Sequence, residues 1–146
     1  VARIRKLRKM LGGGMRQVGV LGAAGLVALD QMVDRLQDDH ANARRLAEGL
    51  AQLPGLLVDL DTVQTNMVVF RTDAGVDPAR LLEGLKQEGV LFISLGGGRV
   101  RAVTHYGITR EDCDQALAAC ARVLDRIGAQ SVARAHSILD ALEGRR

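Results

Sequence analysis

The chain has 146 residues, 47% hydrophobic and 25% charged, the balance of a soluble globular protein with room for one cored domain. Aromatic residues make up only 2%, so the stacking platforms that single-stranded nucleic acid needs are nearly absent. The net charge of +3 is unevenly placed: residues 1–29 hold six cations and no acid, which leaves −3 for the remainder. Such confined basicity points to a local anion site or a partner surface, with a solvated basic helix face as the plainer alternative, and not to a domain that wraps nucleic acid.

Taken in order, Ile4, Leu7 and Leu11 recur at helical spacing among cations, which predicts a short amphipathic helix over 2–10. The chain opens on Val1 in a run already under way, so a fragment or trimmed chain is expected. Gly12-Gly13-Gly14 ends that helix, and a second runs from about 15 to 29 with a face of small residues (Gly19, Gly22, Ala23, Ala24, Gly25). Small residues admit a close backbone neighbour, either another subunit or a helix of the same one. The longest apolar stretch, 18–29, has 12 residues, too few to span a bilayer and suited to a buried helix, and no signal peptide is evident. A third helix is expected over 33–53 with Leu36, Ala43, Leu46, Ala47 and Leu50 buried, stopped by Pro54-Gly55.

Strands are predicted at 56–60, 66–71, 90–95 and 100–104. Asp77-Pro78 opens a helix that ends at Gly89, and Thr109-x-x-Asp112 is a capping box for a helix reaching about Ile127. The order gives an α+β fold, helices covering one face of a mostly antiparallel sheet. Three regions are expected: 1–30, 31–127 as a small α+β domain, and 128–146 as a helical or frayed tail.

The triple glycine fails the spacing of a Walker loop and of a dinucleotide-binding fingerprint. Flanked by Lys9 and Arg16 and followed by a helix N-terminus, it suits a phosphate or carboxylate; a plain helix–helix turn is the competing reading. Strand alternation puts Arg99, Arg101 and Val103 on one side and Val100, Ala102 and Thr104 on the other. Arg101 reads either as a bidentate clamp on a carboxylate or as an exposed strand cation. His105 reads as a turn histidine. Cys113 and Cys120 lie seven apart on one helical face, which predicts reduced buried thiols in a cytoplasmic protein and no metal site. None of Lys6, Lys9 and Lys86 sits where a desolvated Schiff-base amine is expected.

Four segments together carry a family likeness: Arg8 to Gln17, Asp38 to Ala47, Thr65 to Val68, and Val100 to His105. In this order and spacing, across residues 1 to about 126, the chain resembles the low-specificity L-threonine aldolases. The resemblance implies the small domain of a fold-type I pyridoxal-phosphate enzyme, like aspartate aminotransferase, preceded by helices from the end of the large domain. It implies a carbon–carbon lyase that cleaves L-threonine or L-allo-threonine to glycine and acetaldehyde, with pyridoxal 5'-phosphate as cofactor. It implies a homotetramer, a dimer of dimers with active sites shared across the dimer. Lys9 and Arg16 would lie near the cofactor phosphate, and Arg101 would bind the substrate α-carboxylate. The family's Schiff-base lysine, its ring-stacking histidine and its pyridine-pairing aspartate all fall upstream of these residues, so the 146 residues alone are expected to be inactive and no catalytic residue is assigned here. The contrasting expectation is a non-catalytic, truncated oligomerisation or interaction module. No nucleic acid or membrane is expected as a partner.

Overall fold

The computed structural model describes residues 1–143, and side chains through residue 128 and at residue 130. It divides into two compact units, the first Val1–Arg35, the second from Leu36 onward.

The first unit is two helices, α1 (Ala2–Met10) and α2 (Gly19–Gln31), neither with a buried residue. The triple glycine stops α1. The amides of Leu11, Gly12 and Gly13 donate to the carbonyls of Leu7, Lys9 and Arg8, and Gly12 takes the left-handed φ of +76° that such a stop needs. The second helix begins four residues later than Met15, because Gln17 sits at φ +55° and breaks the helical path before Val18.

The second unit is α+β, as expected. Helix α3 (Leu36–Ala51) leads to β1 (Leu56–Val58), a short 3-10 turn (Leu60–Thr62), β2 (Met67–Thr72), α4 (Pro78–Gln87), β3 (Ile93–Gly96), β4 (Arg99–Val103) and α5 (Arg110–Glu143). The sheet order is β1-β2-β4-β3 and every pairing is antiparallel. Asp77 caps α4 by accepting the Ala79 amide at 2.9 Å, with Pro78 at the first helical position. Thr109 and Asp112 form the predicted box reciprocally: Asp112 Oδ2 accepts the Thr109 amide at 2.8 Å, and Thr109 Oγ1 accepts the Asp112 amide at 3.1 Å. The β3–β4 hairpin turns through Gly96, Gly97 and Gly98, all at positive φ, a path that side chains resist.

One face of the sheet is the core. Val68 and Phe70 of β2 with Val100 and Ala102 of β4 pack on Leu46, Ala47 and Leu50 of α3, Leu81 and Leu85 of α4, and Cys120 and Val123 of α5. The opposite face keeps large apolar residues in solvent, among them Leu57, Met67, Val69, Ile93 and Val103.

Three sequence expectations need correcting. Leu36 is exposed, whereas Asp39, unforeseen, is buried at the start of α3. The third strand starts at Ile93 and not at Val90, whose amide instead bonds back to the Leu85 carbonyl and closes α4. The last helix does not stop near Ile127 but continues as one helix to Glu143. Residues 144–146 of the expected tail lie outside the described residues.

Candidate functional site

Arg101 is the central candidate. It sits mid-strand on β4, directly opposite Val69 of β2 and Ile93 of β3, on the face turned away from the helices. Its flanking partners on that face include Val103, so apolar side chains wall the guanidinium stem. Arg101 Nε is buried and has no hydrogen-bond acceptor. A charge-bearing N–H withdrawn from water and left without a partner among the described residues is costly. The alternation read from the sequence is correct here: Val100, Ala102 and Thr104 are buried and Arg99 and Val103 are exposed.

The end of β4 is fixed by a knot of hydrogen bonds that sequence reasoning missed. Buried Thr104 donates from Oγ1 to the Asp39 carbonyl at 2.6 Å. Its amide donates to the Asn66 carbonyl at 2.9 Å, and Asn66 Nδ2 returns a bond to the Thr104 carbonyl at 2.7 Å. Asn42 Nδ2 reaches the Ile108 carbonyl at 3.0 Å. Three of the four segments that carried the family likeness therefore meet at one residue. The signal was present as their recurrence together, but spacing alone does not show which backbone groups need partners.

His105 is exposed, with Nδ1 2.8 Å from the Tyr106 carbonyl, as fits a turn histidine. An open cleft of about 540 Å³ lies beside it, between the segment before β3 and the start of α5. Several of its polar groups are already engaged. Glu88 is held by Arg122 and Arg126 at 2.8 Å each, which keeps its carboxyl below the ordinary range. Asp112 is held low by the Thr109 amide and hydroxyl. Cys113 borders the cleft but is buried, and desolvation raises its thiol. Cys120 is pushed up to about 12 by burial alone. Both cysteines are free and buried, as the sequence indicated.

Lys9 and Arg16 belong to the first unit and Arg101 to the second. Lys9 is exposed at the end of α1 and Arg16 is exposed ahead of α2. The Gly12 and Gly13 amides are spent on closing α1, so of the three glycine amides neither of these is left for an anion. No helix among the described residues is long and apolar enough to cross a membrane.

The Beta-eliminating lyase family model matches residues 1–73. Low-specificity L-threonine aldolase 1 of Arabidopsis thaliana is 42% identical over 114 residues, covering 77% of this chain and 32% of the relative. The low specificity L-threonine aldolase of Escherichia coli K12 is 41% identical over 111 residues, covering 76% and 32%. The chain thus spans about a third of the length of these relatives. Among solved structures, the cystine C-S lyase C-DES aligns with a TM-score of 0.59 at 23% identity, over 70% of this chain and 28% of that one. The Escherichia coli cysteine desulfurase CsdA aligns with a TM-score of 0.60 at 20% identity, over 77% and 32%. These structural likenesses show the fold, that of fold-type I pyridoxal-phosphate enzymes, as the resemblance implied. With half of its residues matched by the family model, this chain belongs to the beta-eliminating lyase family.

Proposed function

We propose that these residues form the carboxylate-binding part of a pyridoxal-phosphate-dependent carbon–carbon lyase acting on β-hydroxy-α-amino acids, with L-threonine and L-allo-threonine as substrates. The observation that carries the reading is the buried, unpaired Nε of Arg101 on the open sheet face. A planar guanidinium there takes a substrate α-carboxylate through two parallel N–H bonds and so sets the orientation of the Cα–Cβ bond. Val69, Ile93 and Val103 flank Arg101 on that face and are themselves solvent-exposed, so the face is open to a ligand.

Pyridoxal phosphate is the cofactor. When bound, it supplies the electron sink that carbon–carbon cleavage next to an amino group requires. The residues present fit such a group: Lys9 and Arg16 are exposed cations in a stretch without acids, and no ion pair ties either of them to a described residue. They would hold the phosphate, Lys9 as a mobile point charge and Arg16 as a fork. The lysine that binds the cofactor is not among Lys6, Lys9 and Lys86, so the 146 residues by themselves release no acetaldehyde. The working protein is a cytoplasmic homotetramer, a dimer of dimers that shares its sites, and residues 1–30 belong to its larger domain and interface.

A second reading is favoured by one observation, the exposure of every residue of α2. On that reading the chain is an oligomerisation module without catalysis. The deciding experiment assays a polypeptide that joins these residues to the remaining length found in the relatives, with pyridoxal phosphate and either threonine or allo-threonine. Glycine and acetaldehyde in equal amounts, reduced at least about a hundredfold in kcat/KM by Arg101→Gln, are expected from a lost charge-assisted bidentate contact. No glycine from either substrate rules the lyase reading out.

A further inference from the structure

The open face of the sheet holds a second concentration of positive charge. Arg71 of β2 and Arg99 of β4 are direct cross-strand partners, so their side chains leave the same face side by side. Both are exposed, and neither forms a hydrogen bond or an ion pair with a described residue. Like charges set opposite each other on a sheet repel, and nothing on the neighbouring ladder offsets them. An open cleft of about 450 Å³ lies against the two guanidiniums, with Leu57 and Met67 as apolar wall. Two threonines and one acid also border it. Thr62 Oγ1 is committed to the Asp59 carbonyl at 2.7 Å, which leaves the Thr65 hydroxyl as the free donor. Asp59 accepts the Asp61 amide at 3.1 Å to cap the short helix and forms no ion pair with either arginine.

We propose that Arg71 and Arg99 form an oxyanion-binding site for a small molecule that carries a phosphate or a carboxylate on an apolar body. Two planar forks held side by side match the several oxygens of one such group, and binding relieves the repulsion between them. The apolar wall takes the body of the ligand, and the Thr65 hydroxyl supplies one more donor. The site is separate from Arg101, which lies two residues further along β4, roughly 7 Å at the rise of a strand. It does not depend on the proposed lyase activity.

The test titrates the full chain with phenyl phosphate, benzoate and uncharged phenol, following backbone amide shifts. Saturable shifts centred on 71–72 and 97–99 are expected from one or both anions and none from phenol; the tighter of the two identifies the anion class. The Arg71→Gln/Arg99→Gln double variant should weaken binding at least tenfold, while Arg101→Gln should change it less than twofold. Equal binding by the double variant, or loss in Arg101→Gln, overturns the assignment, and the latter outcome leaves the Arg101 clamp standing. A thermal melt gives an independent check. Ligand-free Arg99→Gln should melt no lower than the parent, since a repulsion is removed. A clearly lower melt would mean that Arg99 already has a partner within the protein, and the site would not exist.

Discussion

At the level of single residues, the structure separates groups that are satisfied from groups that are waiting. Thr104 is satisfied: buried, it gives its hydroxyl to the Asp39 carbonyl. Thr104→Val keeps the shape and removes only the donor; the Asp39 carbonyl, inside α3, keeps the Ala43 amide as its helical partner. A loss of about 0.5–1.5 kcal/mol is expected in urea unfolding, the net worth of one hydrogen bond; an unchanged midpoint would mean that the knot does not hold β4. Asp112 is satisfied too, and its carboxyl is held below the ordinary value of 3.8 chiefly by the Thr109 amide. A depressed carboxyl contributes stability that is present above its unfolded pKa and lost as pH falls through the folded one. Urea midpoints should therefore decline below about pH 4, and Asp112→Asn should flatten part of that decline while keeping the cap geometry. Cys120, with its thiol at about 12, should resist Ellman's reagent at pH 8 in the native protein and react fully in denaturant. Arg101 stands apart as the residue whose buried Nε has no hydrogen-bond partner among the described residues.

At the level of elements, glycine marks where helices touch. A Cβ on Gly84 of α4 would come within 2.6 Å of Val123 Cγ1 on α5. Val123 is buried and stiff at χ1, so it has little room to yield. Gly84→Ala gains helix propensity of about 1 kcal/mol but overpacks this seam, which typically costs about 1–3 kcal/mol. A net loss of stability is expected, and adding Val123→Ala should cost less than the two single changes summed, a coupling that a double-mutant cycle reads directly. Nothing in the sequence revealed this seam, because Gly84 lies inside a smooth helical pattern. By contrast, elements bounded by local chemistry were legible: Asp77-Pro78 and the Thr109–Asp112 box set helix starts within a residue of where they occur. Element ends set by longer-range bonds were not. The Val90 amide turns back to Leu85, and only the folded chain shows that this delays β3. Helix α5 runs on past Ile127 to Glu143, and Gly128 does not stop it.

At the level of the whole molecule, periodicity disclosed which residues of the second unit face inward, since alternation in β2 and β4 and the heptad-like spacing in α3 report burial directly. The site was legible only in part. Arg101 could be placed on a strand face, but the withdrawal of its Nε from solvent shows only in the folded chain. The Arg71–Arg99 pairing depends on register, which residue spacing does not fix across a long connection. The first unit poses the opposite case: α2 reads as a buried helix, yet Val20, Leu21, Leu26 and Leu29 are each more than half exposed. Burying four such side chains is worth about 6–12 kcal/mol at roughly 1.5–3 kcal/mol each, enough to drive self-association against its entropic cost. Leu26 and Leu29 lie three apart, so they share one face of α2. Sedimentation velocity at micromolar concentration should show an oligomer, and Leu26→Glu/Leu29→Glu should shift it toward monomer while amide spectra of the second unit stay unchanged. A parent protein that sediments as a monomer would remove α2 from the subunit interface, and with it the proposal that residues 1–30 bring Lys9 and Arg16 to a shared site.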